Sequence, residues 1–187
     1  IDCRNLGYGD GAEAIIYLTS HDVEGVRNER LFNFLRNNGV GDIARRCKLA
    51  FACLLTAVGI PMILAGDEFA DEHDLLDPSG HVSQEGGKQV DPVNFSRLTD
   101  AWRRQLKEYV SRLIKLRTAS AALAVNDTEF IHSDFTDERR ILAWRRGRRD
   151  SEAVVVREVA LEDGAAHAEL GERGIRAFFP VEARDLR

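Results

Sequence analysis

Two short apolar runs constrain this chain more than any other feature. Ala14 to Leu18 and Pro61 to Ala65 are each too short for a helix. Each stops abruptly in polar residues, the first in Thr19-Ser20-His21-Asp22 and the second in Gly66-Asp67-Glu68. Runs of this kind fit buried strands of a parallel sheet. The segment between them reads as helix. Leu31, Phe34 and Leu35 recur at helical spacing within Val23 to Arg36, and Asn37-Asn38-Gly39 closes that stretch as a loop. Asp42 then stands as N-cap to the run IARRCKLAFACLLTAV, whose second half is apolar over most of its surface and is therefore expected to be buried. Gly59 sits where a C′ glycine belongs, and Pro61 prevents continuation.

Beyond the second run, an acidic stretch without periodicity extends from Asp67 to about Ser96. A loop of that length in a compact domain is usually functional or disordered. A second helix follows from about Asp100, with Trp102, Leu106, Tyr109, Leu113 and Leu116 on one apolar stripe, a core-packing face. The pattern then changes. Thr128 to His132, Arg140 to Trp144 and Ala153 to Val156 alternate as strands separated by turns, and the β pattern weakens from Arg157 onward apart from Ile175 to Val181. Strand, helix, strand, helix and then a run of strands predicts an α/β piece over residues 1–126. A small antiparallel β domain follows over 127–187, incomplete or altered after about 156.

Composition narrows the function. In a chain of 187 residues, the net charge of −5 argues against nucleic acid, whose binding needs a basic face. Six arginines do gather between Arg139 and Arg149, where they flank a strand and are expected to be a solvated edge. No apolar stretch reaches the length of a membrane span, and no basic start followed by an apolar run marks a signal peptide. Cys3, Cys47 and Cys53 are an odd count without metal spacing, so buried, reduced thiols in a cytoplasmic protein are expected. There is no internal repeat, phosphate-binding glycine fingerprint or zinc spacing. Asn94-Phe95-Ser96 and Asn126-Asp127-Thr128 match glycosylation sequons, a match that a cytoplasmic enzyme would not use.

The chemistry concentrates at the two strand ends. A buried strand that ends in His21-Asp22 presents two polar side chains at its carboxyl end, where parallel α/β folds bind ligands. The pair alone has a second reading, in which Asp22 is the N-cap of the following helix. About forty residues on comes Gly59-Ile60-Pro61-Met62-Ile63-Leu64-Ala65-Gly66-Asp67-Glu68-Phe69. Taken together, the two stretches resemble the last part of the α-amylase family, glycoside hydrolase family 13. In that family the seventh barrel strand ends in Asn-His-Asp and the eighth carries Gly-x-Pro…Gly-x-Glu. Here Ser20 replaces the asparagine, with histidine and aspartate in place. The helix around Trp102 to Arg117, with Leu113-Ile114-Lys115-Leu116-Arg117, resembles the final barrel helix, and the strands after residue 127 resemble the carboxy-terminal β domain. The resemblance covers roughly residues 12 to 156.

What the resemblance implies is specific. The fold would be the last strand–helix units of a (β/α)8 barrel followed by a small antiparallel β domain. The reaction would be hydrolysis of α-glycosidic bonds in starch- or glycogen-type glucans with retention of configuration. At the position of Asp22 the family carries a catalytic carboxylate that binds sugar hydroxyls and favours the oxocarbenium-like transition state. His21 would hydrogen-bond a sugar hydroxyl in the same subsite. Glu24 and Arg27 follow on the same segment. Arg27 is either a substrate-side residue that orients a carboxylate or a surface ion pair. Glu68 would support the second strand end. The nucleophile and the acid belong to the fourth and fifth strands, and no stretch here matches either motif. The chain holds about two of eight strand–helix units, so its missing amino-terminal part would be a partner, and the chain alone is expected to be inactive. No cofactor is implied. Calcium is conceivable among Asp67, Glu68, Asp71, Glu72, Asp74 and Asp77, but the spacing matches no known cage, and a solvated acidic lid is the plainer reading. The alternatives are a transglycosylase such as a glycogen-branching enzyme and, from another class, a non-catalytic carbohydrate-binding module. The aromatics available to that module are Trp144, Phe178 and Phe179.

Overall fold

A computed structural model describes residues 2–27, 29–74, 91–134, 140–148 and 154–160. The chain forms two compact units, and each is built from segments distant in sequence. One comprises Ile15–Leu55 and Pro61–Leu113. The other comprises Ile1–Ala14, Thr56–Ile60 and the described part of Ile114–Arg187.

In the first unit, strand β1 (Ile15–Tyr17) leads into helix α1 (His21–Arg27), then α2 (Leu31–Asn37) and α3 (Ile43–Thr56). Strand β2 (Ile60–Met62) follows, hydrogen-bonded to β1 in a two-stranded sheet. A 3-10 turn at Asp67–Phe69 and another at Phe95–Thr99 precede helix α4 (Ala101–Ala119). Each strand has three residues: β1 lies within its apolar run, while β2 starts one residue ahead of its run and takes in only Pro61 and Met62. Their side chains are not wholly buried as expected: Ile15 is 62% exposed, and Tyr17 and Ile60 are also exposed. Asp42 caps α3 as expected. Its carbonyl accepts from Arg45 N–H and Arg46 N–H at 3.0 and 3.1 Å, and it sits at φ 46°, a left-handed value that short polar residues tolerate. The helix stops at Thr56, so Gly59, at φ 136°, lies beyond the C′ position and turns the chain into β2.

The core of this unit comes from Cys47, Phe51, Ala52, Leu54 and Leu55 on α3 and Leu106, Val110 and Leu113 on α4. The buried stripe of α4 is rotated from the expected one. It runs through Arg103, Leu106, Val110 and Leu113, while Trp102 and Tyr109 are half-buried. The rotation has a cause: Arg103 lies 4.6 Å from the Trp102 ring and 4.8 Å from the Phe32 ring, and it donates to Ala70 O and, at 2.6 Å, to Glu72. A guanidinium stacked on aromatic faces, with both terminal nitrogens donating, is buried at reduced cost.

The second unit carries the short helix α5 (Ala121–Ala124) and three antiparallel strands in the order β3 (Thr128–Asp134), β4 (Arg140–Arg146), β5 (Val154–Ala160). A register shift between Phe130 and His132 marks a bulge in the β3–β4 pairing. Strand β5 runs to Ala160, four residues past the point where its sequence pattern fades, because its backbone pairs with β4 as far as Arg140. The stretch Ile175 to Val181 lies outside the described residues. Two expectations fail here for tertiary reasons. Trp144 is fully buried, which removes it as a sugar-stacking platform, and Phe178 and Phe179 lie outside the described residues. Arg146 is buried and not part of a solvated edge. It donates to Thr56 O at 2.6 Å and Val125 O at 2.5 Å, and burial lowers its pKa to about 10. Cys3 and Cys47 are buried and Cys53 half-buried, all as free thiols.

Candidate functional site

The first unit sets both strand ends close to one buried arginine. Chain leaving β1 enters α1 through Ser20, whose Oγ accepts from Val23 N–H at 3.3 Å while its carbonyl accepts from Glu24 N–H at 2.9 Å. Ser20 is therefore the N-cap, the role weighed for Asp22. Asp22 is instead the second residue of α1, 66% exposed at its side chain. Beside it stands His21, 64% exposed, with Nε2 3.7 Å from Asp22 Oδ2. Arg27, the last residue of α1, is also exposed.

Two residues after Asp22 the same helix turns inward. Glu24 is buried and accepts from Arg30 Nε at 2.8 Å. The Arg30 guanidinium also donates to Asp71 Oδ2 at 3.1 Å and to Ala65 O, at the end of the second apolar run, at 2.9 Å. One planar cation thus ties α1 to the chain that leaves β2. Its three partners use the fork geometry that a lysine lacks. Gly66 makes room for it: a Cβ there would lie 2.5 Å from Arg30 Nη1 and 2.9 Å from Asp71 Cβ, and its φ of 100° is left-handed. Glu68 closes the turn, its Oε2 accepting from Gly66 N–H at 2.7 Å.

The acidic stretch, as far as it is described, is not a solvated lid. Asp67 and Asp71 are buried, Glu72 is mostly buried, and Asp74 is half-exposed. Asp71 accepts from Arg30, from Arg97 Nη1 at 2.6 Å and from Asn94 N–H at 3.1 Å. Arg97 also reaches Asp74 at 2.6 Å. Asp77 lies outside the described residues. Asp67 differs: among the described residues its Oδ1 has no hydrogen-bond partner, and burial pushes its carboxyl up to about 8 against the pull of Arg30. The same burial, with Asp67 adding to it, pushes the Cys47 thiol up to about 12, which keeps it protonated and inert.

Beside Glu24 lies His73. Its backbone is fixed by Asn33, which accepts from His73 N–H at 2.8 Å and donates to His73 O at 3.1 Å. Its Nδ1 is 3.2 Å from Glu24 Oε1 and 3.0 Å from Asp91 Oδ2. Burial pushes the Asp91 carboxyl up to about 6; His73 opposes this, and Asp74 and Glu24 add to it. Arg30, His73 and Asp91 were not singled out by sequence reading. Nothing periodic marks them, and each matters through a partner six to forty-nine positions away.

The sequence matches no protein-family model, and no curated protein matches it. Solved structures do. An AmyP variant in complex with maltotriose is 20% identical, with a TM-score of 0.56, over 78% of this chain and 30% of its own. AmyP in complex with maltose is 23% identical with a TM-score of 0.55 over the same shares. An Anoxybacillus α-amylase is 23% identical with a TM-score of 0.56, over 81% of this chain and 29% of its own. The chain spans about 30% of the length of these neighbours. Its fold is thus that of part of an α-amylase-type glycoside hydrolase.

Proposed function

We propose that this chain is the carboxy-terminal segment of a retaining glycoside hydrolase that cleaves α-glycosidic bonds in glucans of the starch and glycogen type. One observation carries the reading: His21-Asp22 and Gly66-Asp67-Glu68 each follow a strand of one sheet, and Arg30 joins the segments that bear them. That the fold neighbours include complexes with maltose and maltotriose supports an α-glucan as the partner.

On this reading Asp22 is a catalytic carboxylate held at the rim of a helix whose other acid, Glu24, is locked inside. Its charge stabilises the oxocarbenium-like transition state, and the sugar displaces water from it, which strengthens the interaction. His21 donates to or accepts from a sugar hydroxyl in the same subsite. Arg27 contributes a cation on the substrate side. Glu68 acts indirectly, by fixing the Gly66 turn. The nucleophile and the general acid lie elsewhere in the full-length enzyme, so the 187-residue chain alone is expected to have no turnover.

Full-length protein incubated with maltooligosaccharides tests the reading. The expected result is new reducing ends whose α-anomer forms first, followed by proton NMR. Products of inverted configuration, or no glucan cleavage at all, would overturn it. Passage of glycosyl units to sugar hydroxyls in preference to water would move the enzyme to the transglycosylases. The 187-residue chain assayed in parallel on a chromogenic α-glucoside should show nothing above background, and reproducible turnover would mean the site was misassigned.

A further inference from the structure

Glu24, His73 and Asp91 converge inside the first unit. Their side chains are 4%, 1% and 2% exposed, and one ligand-competent atom from each lies within 4.8 Å of the others. His73 Nδ1 faces Glu24 Oε1 at 3.2 Å and Asp91 Oδ2 at 3.0 Å, while His73 Nε2 and Asp91 Oδ1 have no hydrogen-bond partner among the described residues.

Neither tautomer of a neutral imidazole satisfies this arrangement. With the proton on Nδ1, one N–H is shared between two carboxylates and the Nε2 lone pair is buried bare. With the proton on Nε2, the Nδ1 lone pair points at two anionic oxygens, which is repulsive unless a metal ion or a second proton lies between them. Permanent cations are spoken for nearby. Arg30 serves Glu24 and Asp71, and Arg97 serves Asp71, Glu72 and Asp74. Among the described residues, the Asp91 side chain meets His73 and the carboxyl of Asp74, and neither is a permanent cation.

We propose that Glu24, His73 and Asp91 supply three of the ligands of a divalent transition metal of the zinc class, held as a structural ion. The site offers two carboxylates and an imidazole, with Glu24 Oε1 also accepting from Arg30 Nε. Oxygen and imidazole donors suit zinc, whereas calcium takes six to eight oxygens and leaves a ring nitrogen unused. Bonds of about 2.0–2.1 Å in a tetrahedron separate ligand atoms by roughly 3.3 Å, and the two donor separations at Nδ1 are within a few tenths of that. The ion would pin α1, through Glu24, to the segments carrying His73 and Asp91. This inference does not depend on the glycosidase reading.

The test uses full-length protein stripped with a chelator, dialysed, and titrated with zinc sulfate by calorimetry and thermal melting. Saturable uptake of a single zinc is expected, with a melting temperature several degrees higher in excess zinc. Calcium chloride is expected to give neither. His73→Gln and Asp91→Asn should each weaken uptake by about 100-fold or more. In the wild type, zinc should shift the 15N resonance of His73 Nδ1, a readout that survives even where a variant does not fold. No saturable uptake, an unmoved Nδ1 resonance, unchanged uptake in folded variants, or calcium binding as tight as zinc would each overturn the proposal.

Discussion

Helix α1 has two faces with opposite chemistry. At its start, His21 and Asp22 stand in the open; two residues later, Glu24 is buried against Arg30 and His73. The contrast separates presentation from support. An exposed carboxylate is cheap to hold. A buried one must be compensated, and here it is compensated by Arg30 and by His73 from the chain beyond β2. Changes at the two ends should therefore be felt in different measurements.

The largest effect is expected inside. Arg30→Ala strips Glu24 and Asp71 of a buried cation, which typically costs about 3–5 kcal/mol. For a chain of this size that is a melting temperature lower by roughly 6–20 °C. Arg30→Lys should recover little, because an ammonium cannot reach three acceptors in one plane. A melting curve of Arg30→Ala within a degree or two of wild type would erase the distinction between the two faces.

Outside, the effect should appear in rate. Asp22→Asn in the full-length enzyme should lower kcat by about 10²–10³, while stability changes by no more than the ~0.3–1 kcal/mol of a charge near a helix start. Since Ser20 holds the cap, loss of activity here cannot be blamed on an uncapped helix. Equal kcat for the two proteins would break the catalytic assignment. His21→Ala removes one sugar contact, and a loss of roughly 10–100-fold in kcat/KM is expected at unchanged melting temperature.

A further effect concerns pH. The Asp67 carboxyl is held at about 8 in the folded chain against an ordinary 3.8. Its raised value means that the folded state keeps a proton the unfolded state releases. Its contribution to stability is therefore full below pH 4 and is lost as the pH rises towards 8. Asp67→Asn should flatten the fall in melting temperature between those limits. Parallel curves for wild type and variant would show that Asp67 ionises normally.

Much of this contrast was legible in residues and much was not. The strands could be read because four or five apolar residues ending in polar ones have few other uses, and α3 because Asp42 and the apolar run agree. Asp22 and His21 were found through a motif. The fate of the acidic stretch was hidden. Composition alone makes Asp67, Asp71 and Glu72 a solvated surface. What buries Asp71 and Glu72 is three arginines, at positions 30, 97 and 103, arriving from 26 to 41 positions away. Arg146 is the same case, its carbonyl partners lying as far as 90 positions back. Long-range pairing of a charge leaves no local periodicity.

Two tryptophans stand in the whole chain, and they fall in different units: Trp102 in the one built around α3 and α4, and Trp144 in the one with the antiparallel strands. Nature has in effect placed one optical reporter in each. Trp144, sealed from water, should emit at the blue end of the range, and its red shift would time the opening of its own unit. Trp102, half-buried with a guanidinium over its ring, is positioned to be partly quenched and to brighten when that stack comes apart. With Trp102→Phe and Trp144→Phe as the two single-reporter versions, fluorescence can follow whether the halves of this chain melt together or one after the other.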